Sequence, residues 1–415
     1  MNEVKKYQFK WGDVFCLKTH RPDIVILKGS FIGGDLHAPT QAHMDLLSHM
    51  LDQGTDFNSR DELADKQEGM GVDIDFDYDA YRTRFCLSAL TDVWEPALKL
   101  LVEQLSLSTI SEACFKVIKD RLIGAQKERL SSSKDRANVV FLGNMYPAGH
   151  PNHEMPIADY IAAIEGLTAK DIRDFYERIR SQGRLTLVLV GDILPGMLDV
   201  LSSVFSNWGL SNLAFAPAHA LESVLTGSSV LVPIEGKVSA DVMMGHRLNI
   251  NRQDPDYLPL LVGLDALGGN FSARLMRTVR DEQGLTYSIY SALSGMADLA
   301  QGYWSIWANY APEKIHQGID ATLAQCRIWQ QGLTKEDLEE RKAGICGRYV
   351  LKMASCASLA SLLLYFIEQG HDENYLFEYP KYIKAITLGQ VNQVIQTHVH
   401  LDRLLVVQAG RLHAG

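Results

Sequence analysis

Between Val72 and Tyr78 apolar and acidic residues alternate strictly, Val-Asp-Ile-Asp-Phe-Asp-Tyr, and a period of two predicts a half-buried strand with residues 82–87 as its partner. Two continuous apolar runs, residues 23–31 and 185–192, are rich in Val, Ile and Leu and predict buried strands. Between them the apolar period lengthens to that of a helix over residues 40–52, which Gly54 closes. A second short helix, residues 59–69, opens on Ser59 with Glu62 three positions later, the pattern of a capping box. Longer helical stretches follow near 94–106, 111–130 and 169–180.

The second half repeats this order. Residues 239–246 are strand-like, Asp254-Pro255 precedes an apolar helix at 256–267, Gly268-Gly269 ends it, and Ser272 is placed to cap the next. A strand resumes at 286–290, helices are expected at 312–331, 335–353 and 356–368, and residues 404–408 form a closing strand. The poorly periodic stretch from Trp208 to Ser229 reads as a linker. The expected organisation is a domain at 1–210, a linker at 211–228 and a domain at 229–415. Strand runs followed by helix runs predict an α+β fold: two homologous α/β-layer domains, each a mostly antiparallel sheet backed by helices. A chain of 415 residues is also too long for one core.

A net charge of -10 excludes nucleic acid and anionic membrane surfaces as expected partners. No apolar run reaches the ~18 residues of a membrane span. The first residues, Met1 to Tyr7, carry no apolar signal region, which leaves the compartment unknown: the cytoplasm is expected, or the periplasm if a presequence was trimmed. The six cysteines (16, 86, 114, 326, 346, 356) include no C-x-x-C pair and read as buried thiols.

Candidate chemistry begins at residues 45–55, Asp-Leu-Leu-Ser-His-Met-Leu-Asp-Gln-Gly-Thr. This segment resembles the signature helix of the pitrilysin/insulinase family of zinc peptidases, where His-x-x-Glu-His precedes Met-Leu-x-x-Gly-Thr. In that motif the two His bind zinc from one helix face, and the Glu is the base for the attacking water. Here the first ligand position is Asp45, the base position is Ser48, and only His49 remains. A serine hydroxyl does not deprotonate a zinc-bound water at neutral pH. The resemblance therefore implies a member with a degenerate catalytic centre and no zinc of its own. A substituted ligand set is the alternative: Asp45 and His49 share a helix face, and Glu128 lies close to where the family's third ligand, a Glu on a long helix, is expected. A helix-surface Asp–His pair is the commoner reading of Asp45 and His49.

Residues 268–288 are similar to a second family segment, Gly-Gly-x-x-Ser-Arg-Leu followed by Arg-x-x-x-Gly-Leu-x-Tyr-Ser, and place Arg280 and Tyr287 on its substrate-contacting Arg/Tyr pair. The resemblance implies that Arg280 anchors peptide carbonyl or carboxylate groups and that Tyr287 donates to the oxygen that becomes an oxyanion. By residue type alone, Arg280 also reads as a solvated helix-end cation and Tyr287 as an ordinary strand aromatic. Some bacterial members of the family work as heterodimers in which one subunit carries the zinc motif and the other the Arg/Tyr pair. This chain has the second pattern. The implied function is a non-catalytic, substrate-binding subunit of a zinc metalloendopeptidase. Zinc is then expected in a pitrilysin-like paralogue, with a homodimer as the other possible assembly and a peptide as substrate. A structural homologue without proteolytic role is the alternative, and an active peptidase with substituted ligands a further one.

Two other features bear on chemistry. His150-Pro151-Asn152-His153-Glu154 has metal-ligating residues in a turn-rich loop and reads as structural. Asp73, Asp75 and Asp77 share one strand face, either solvated or forming an acidic wall suited to basic peptides.

Overall fold

The computed structural model describes residues 3–209, 227–298 and 300–412. They form two compact units that do not follow the sequence halves 1–210 and 229–415. One unit comprises Met1–Gly124, Tyr160–Pro217 and Val350–Glu378; the other comprises Ala125–Asp159, Ala218–Tyr349 and Tyr379–Gly415. The expected linker at 211–228 lies almost wholly outside the described residues.

The first unit is built on β1 (Val4–Phe9), β2 (Gly12–Lys18), β3 (Ile24–Ile32), β4 (Asp73–Tyr78), β5 (Arg82–Leu90) and β6 (Leu185–Gly191), in the spatial order β1-β2-β6-β3-β5-β4. The second is built on β7 (Ser228–Pro233), β8 (Ala240–Arg247), β9 (Thr286–Ser294), β10 (Tyr303–Tyr310) and β11 (Leu405–Gly410), in the order β7-β11-β8-β10-β9. With β1 set aside the two orders correspond strand for strand. Each sheet has one parallel pair, β2 with β6 and β11 with β7, and is otherwise antiparallel. This is the α+β repeat that the hydrophobic pattern predicts.

One face of each sheet is covered by helices from its own half of the chain. Leu27, Leu87 and Leu189 pack with Met44, Leu47, Leu98 and Leu101 in the first unit, all without solvent access. Val242, Ile289 and Ile306 pack with Leu260, Val391 and Ile395 in the second, equally buried. The opposite faces are covered by an exchange. The helix Cys356–Glu368, from late in the chain, packs on β3 and β6, while Ser133–Met145, from the first half, packs on β8 and β11. Phe141 of the latter helix is fully buried against the second sheet. Gly245 on β8 admits it, because a Cβ there would lie 2.9 Å from the Phe141 ring and 2.1 Å from the Trp304 carbonyl oxygen.

The helix Cys356–Glu368 is tied down by charge. Arg84 on β5 donates from Nε to both Glu368 oxygens at 3.1 Å and from Nη2 to Oε2 at 2.8 Å. The same Nη2 donates to Asp79 at 2.6 Å, and the Glu368 side chain is only 2% exposed. Two carboxylates around one guanidinium satisfy most of its in-plane donors, which a buried charge requires.

Local rules decide the element ends. The capping box of Ser59 and Glu62 opens the helix Arg60–Met70, and Gly71 closes it at φ 64°, the left-handed position that suits glycine. Ser272 does not cap a helix as expected; its amide and hydroxyl both donate to Asn270 Oδ1, and the chain enters a π-helix at Met276–Glu282. All six cysteines are free. Among the described residues no single helix is long and apolar enough to cross a membrane.

Removing Glu368 takes three hydrogen bonds from the enclosed Arg84 guanidinium and leaves Asp79 as its remaining ion-pair partner. Glu368→Ala should lower unfolding free energy by about 3–5 kcal/mol in urea titration, and pairing Glu368→Leu with Arg84→Met should recover most of the loss. A double variant as unstable as the single one would show that the ion pair is not what holds this helix.

Candidate functional site

The motif helix is shorter than its hydrophobic pattern suggests. It spans Ala42–Ser48 rather than 40–52, with His49 as its C-cap residue. Ser48 turns its hydroxyl back onto the carbonyl of Asp45 at 3.0 Å, and Met50 and Gln53 continue in tight turns. A serine that bonds its own preceding turn competes with the helix ladder, which fits an end at this residue. Ala42, Met44, Leu46 and Leu47 face the core, so Asp45 and Ser48 occupy the half-buried side.

Asp45 is fully engaged. The Tyr78 hydroxyl, from the end of β4, donates to its Oδ1, and the Tyr160 hydroxyl donates to its Oδ2. Burial, then the Asp45 and Asp35 charges, push the Tyr78 phenol well above its ordinary range, so it stays a donor. Beside this group lies Asp35, whose Oδ1 is buried without a hydrogen-bond partner among the described residues. Burial first, and then the Asp45 and Asp79 charges, raise its pKa to about 8. Tyr78 and Tyr160 were not singled out from sequence. The one legible signal was the alternation of β4, which puts Tyr78 on the inward face with Ile74 and Phe76.

This donor set does not fit a zinc ion. Both Asp45 oxygens already accept phenol protons, the Ser48 hydroxyl is bonded to backbone, and His49 is exposed. Among the described residues no group of three His, Cys, Asp or Glu side chains stands at metal-binding spacing; Asp45 and His49 belong to the first unit and Glu128 to the second. The His150–Glu154 loop is divided in the same way. The His150 ring accepts from the Asn152 amide at 3.0 Å, the His153 ring bonds the Tyr146 carbonyl at 2.8 Å, and Glu154 accepts from Asn138 and Arg129. Asp73, Asp75 and Asp77 are all exposed on β4, the edge strand of its sheet.

In the second unit the structure brings Arg280 and Tyr287 side by side. Arg280 is on the π-helix Met276–Glu282, and Tyr287 is the second residue of β9, the edge strand of that sheet. The Arg280 guanidinium lies 5.5 Å from the Tyr287 ring centroid and 5.9 Å from that of Phe271, with Nη1 3.3 Å from Asp281. Tyr287 is 83% exposed and Phe271 78%, so two rings that would ordinarily be covered flank one cation at the surface.

The loop carrying Phe271 is built from below. Asn270 donates to Asp265 and accepts from Ser272 and from Arg341, whose side chain is 8% exposed. Arg341 also donates to the Ser272 hydroxyl at 3.1 Å, and Arg348 donates to Asp265 at 2.6 Å. A buried arginine with two hydrogen bonds into a glycine-rich turn fixes the turn's shape. Phe271 was overlooked in sequence, although a large apolar residue at the tip of a Gly-Gly-Asn turn is itself a signal.

With this geometry in place, the chain can be compared with known proteins. Residues 166–345 match the Peptidase M16 inactive domain. The chain is 23% identical over 367 residues, 86% of each protein, to the uncharacterized zinc protease YmxG of Bacillus subtilis, and 20% identical over 380 residues to the non-peptidase homolog YmxG of Helicobacter pylori, covering 90% of this chain and 85% of that one. The stretch 166–345 is similar to the M16 (pitrilysin) family. The fold of the chain is that of the peptidase M16 inactive domain from Pseudomonas fluorescens, with a TM-score of 0.87 at 21% identity and 99% coverage of both chains. It also follows the periplasmic protease PqqL of Escherichia coli at a TM-score of 0.76 and 19% identity, but covers only 46% of that chain against 99% of its own. The chain is thus similar both to named zinc proteases and to a named non-peptidase homolog, and its match to a family model is to an inactive domain.

The Asp35 carboxyl yields a pH test. An aspartate in an unfolded chain titrates near 3.9, whereas folded Asp35 titrates at about 8. Its contribution to stability is therefore fully present below about pH 4 and is lost as pH rises towards 8, at up to ~1.4 kcal/mol per pH unit. Asp35→Asn should flatten the fall in urea midpoint between pH 5 and 8 and be the more stable protein at pH 8. Parallel profiles for the two proteins would show that Asp35 is ionised throughout.

Proposed function

We propose that this chain is the non-catalytic, substrate-binding member of a two-chain zinc endopeptidase. Arg280 and Tyr287 then act on a peptide whose bond is cleaved with the zinc and base of a paralogous partner. The observation that carries this reading is the contrast between the two motif sites. Asp45 has both oxygens closed by Tyr78 and Tyr160, while half-buried Arg280 stands beside Tyr287, which is exposed.

Peptide hydrolysis needs an activated water and a stabilised oxyanion at one carbonyl. The residues of this chain suit the second task alone. Arg280 has planar donors for carbonyl or carboxylate oxygens, and its stacking on Tyr287 limits the conformations it must give up on binding. The Tyr287 hydroxyl is a neutral donor that strengthens as charge develops on the oxygen it faces.

The purified chain should hydrolyse no peptide by itself, whereas mixing it with a zinc-bearing M16 paralogue from the same genome should give chelator-sensitive hydrolysis. In that mixture Tyr287→Phe should lower kcat about 100-fold, the cost of one oxyanion donor, and Arg280→Ala should lower kcat/KM at least as much. Mixture activity indifferent to both variants would leave a scaffolding role. Stoichiometric zinc with activity in the chain alone would overturn the proposal.

A further inference from the structure

The face of the second sheet opposite its main core is only partly covered. The helix Ser133–Met145 packs on β8 and β11, and beyond it, towards the free edge, Tyr290 of β9 stands directly opposite Trp307 of β10. Their ring centroids are 5.0 Å apart. Trp307 is oriented by a 2.9 Å bond from its Nε1 to Asp241, whose other oxygen accepts from Ser133. The next residue, Lys134, lays its ammonium 4.3 Å from the Trp307 ring centroid and 5.6 Å from that of Tyr290. Lys134 is exposed, and none of the described carboxylates forms an ion pair with it. Asp241, which orients Trp307, is buried with both oxygens engaged, and Asp135, next in the chain, pairs with Arg129 at 3.8 Å. An ammonium held by aromatic faces keeps its N–H donors for a ligand.

Strand β9 connects this group to Arg280 and Tyr287. In a regular strand, residues three apart face opposite sides. The register shift opposite Ala308 and Tyr310 inserts one extra residue into β9, so Thr286 and Ile289 both turn inward and Tyr287 and Tyr290 both lie in exposed positions. The two tyrosines are separated by about 10 Å along the strand, three extended residues of a peptide.

We infer that Lys134, Tyr290 and Trp307 form a subsite for an acidic side chain, Glu above all, of the peptide held at Arg280 and Tyr287. The carboxylate pairs with the Lys134 ammonium and the methylene stem packs on the Tyr290 ring. The inference rests on the peptide-binding reading of Arg280 and Tyr287, and it gives that reading a substrate class: extended peptides with an acidic residue about three positions from the carbonyl they present.

The test is fluorescence anisotropy with fluorescein-labelled, end-blocked nonapeptide pools, each fixed at one position as Glu, Gln, Lys or Phe. One Glu pool should bind about fivefold more tightly than its Gln counterpart, and Lys134→Met should abolish that difference with its thermal midpoint unchanged. Arg280→Ala should weaken Glu and Gln pools alike. Equal binding of Glu and Gln, a preference for Phe, or a Glu preference that survives Lys134→Met would overturn the subsite; if Arg280→Ala still weakens all pools, the reading of Arg280 and Tyr287 stands. No binding by any pool, or no effect of Arg280→Ala, would overturn both.

Discussion

A sheet rich in Val, Ile and Leu has two faces to remove from water, and the helices that follow each sheet in this chain cover only one. In both units the second face is partly covered by a helix from the other half of the sequence, Cys356–Glu368 on β3 and β6, and Ser133–Met145 on β8 and β11. Much else follows from this. Phe141 is fully buried because Gly245 leaves room for it, and Arg84 is charged in a largely enclosed place because Glu368 and Asp79 flank it. Neither half of the sequence holds all the apolar surface its own sheet needs, so the compact units and the sequence halves cannot coincide.

The exchanged helices stop short of the free edges, β4 in one sheet and β9 in the other. The repeat thus supplies two comparable edge strands, and the chain has used them in opposite ways. On β4 a tyrosine faces inward and closes the Asp45 carboxylate. The cluster of Asp45, Tyr78 and Tyr160 with the neighbouring Asp35 is a hydrogen-bonded seal, in which protons do the work of compensating buried oxygen atoms. On β9 the extra residue of a bulge turns two tyrosines outward, and a π-helix sets a guanidinium against one of them. π-helical turns and bulges both depart from the most stable backbone, and both are frequent where a protein binds something.

Local patterns made much of this legible. The alternation of residues 72–78 gave β4 its place and its inward face, Ser59 and Glu62 marked a helix start to the residue, and the second-half motif brought Arg280 and Tyr287 forward as a pair. The strands β1, β2, β7 and β10 escaped notice. In β10, Tyr-Trp-Ser-Ile-Trp-Ala-Asn-Tyr, bulky aromatics occupy both faces, so the period of two is blurred. The motif helix was drawn too long because its apolar period runs past Ser48, whereas the ladder ends where that hydroxyl takes the Asp45 carbonyl.

The amino-acid order by itself determined the twofold α+β plan, the serine at position 48 of the motif helix and the nearness of Arg280 to Tyr287, because each depends on residues close together in the chain. Only the tertiary structure decided what those residues touch. The partners of Asp45 are 33 and 115 positions away, Glu368 reaches Arg84 across 284, and Lys134 meets Trp307 across most of the second unit's span. Sequence periodicity reports which face of its own element a residue occupies. It does not report which distant phenol, carboxylate or indole is packed against that face, and here those contacts separate a sealed site from an open one.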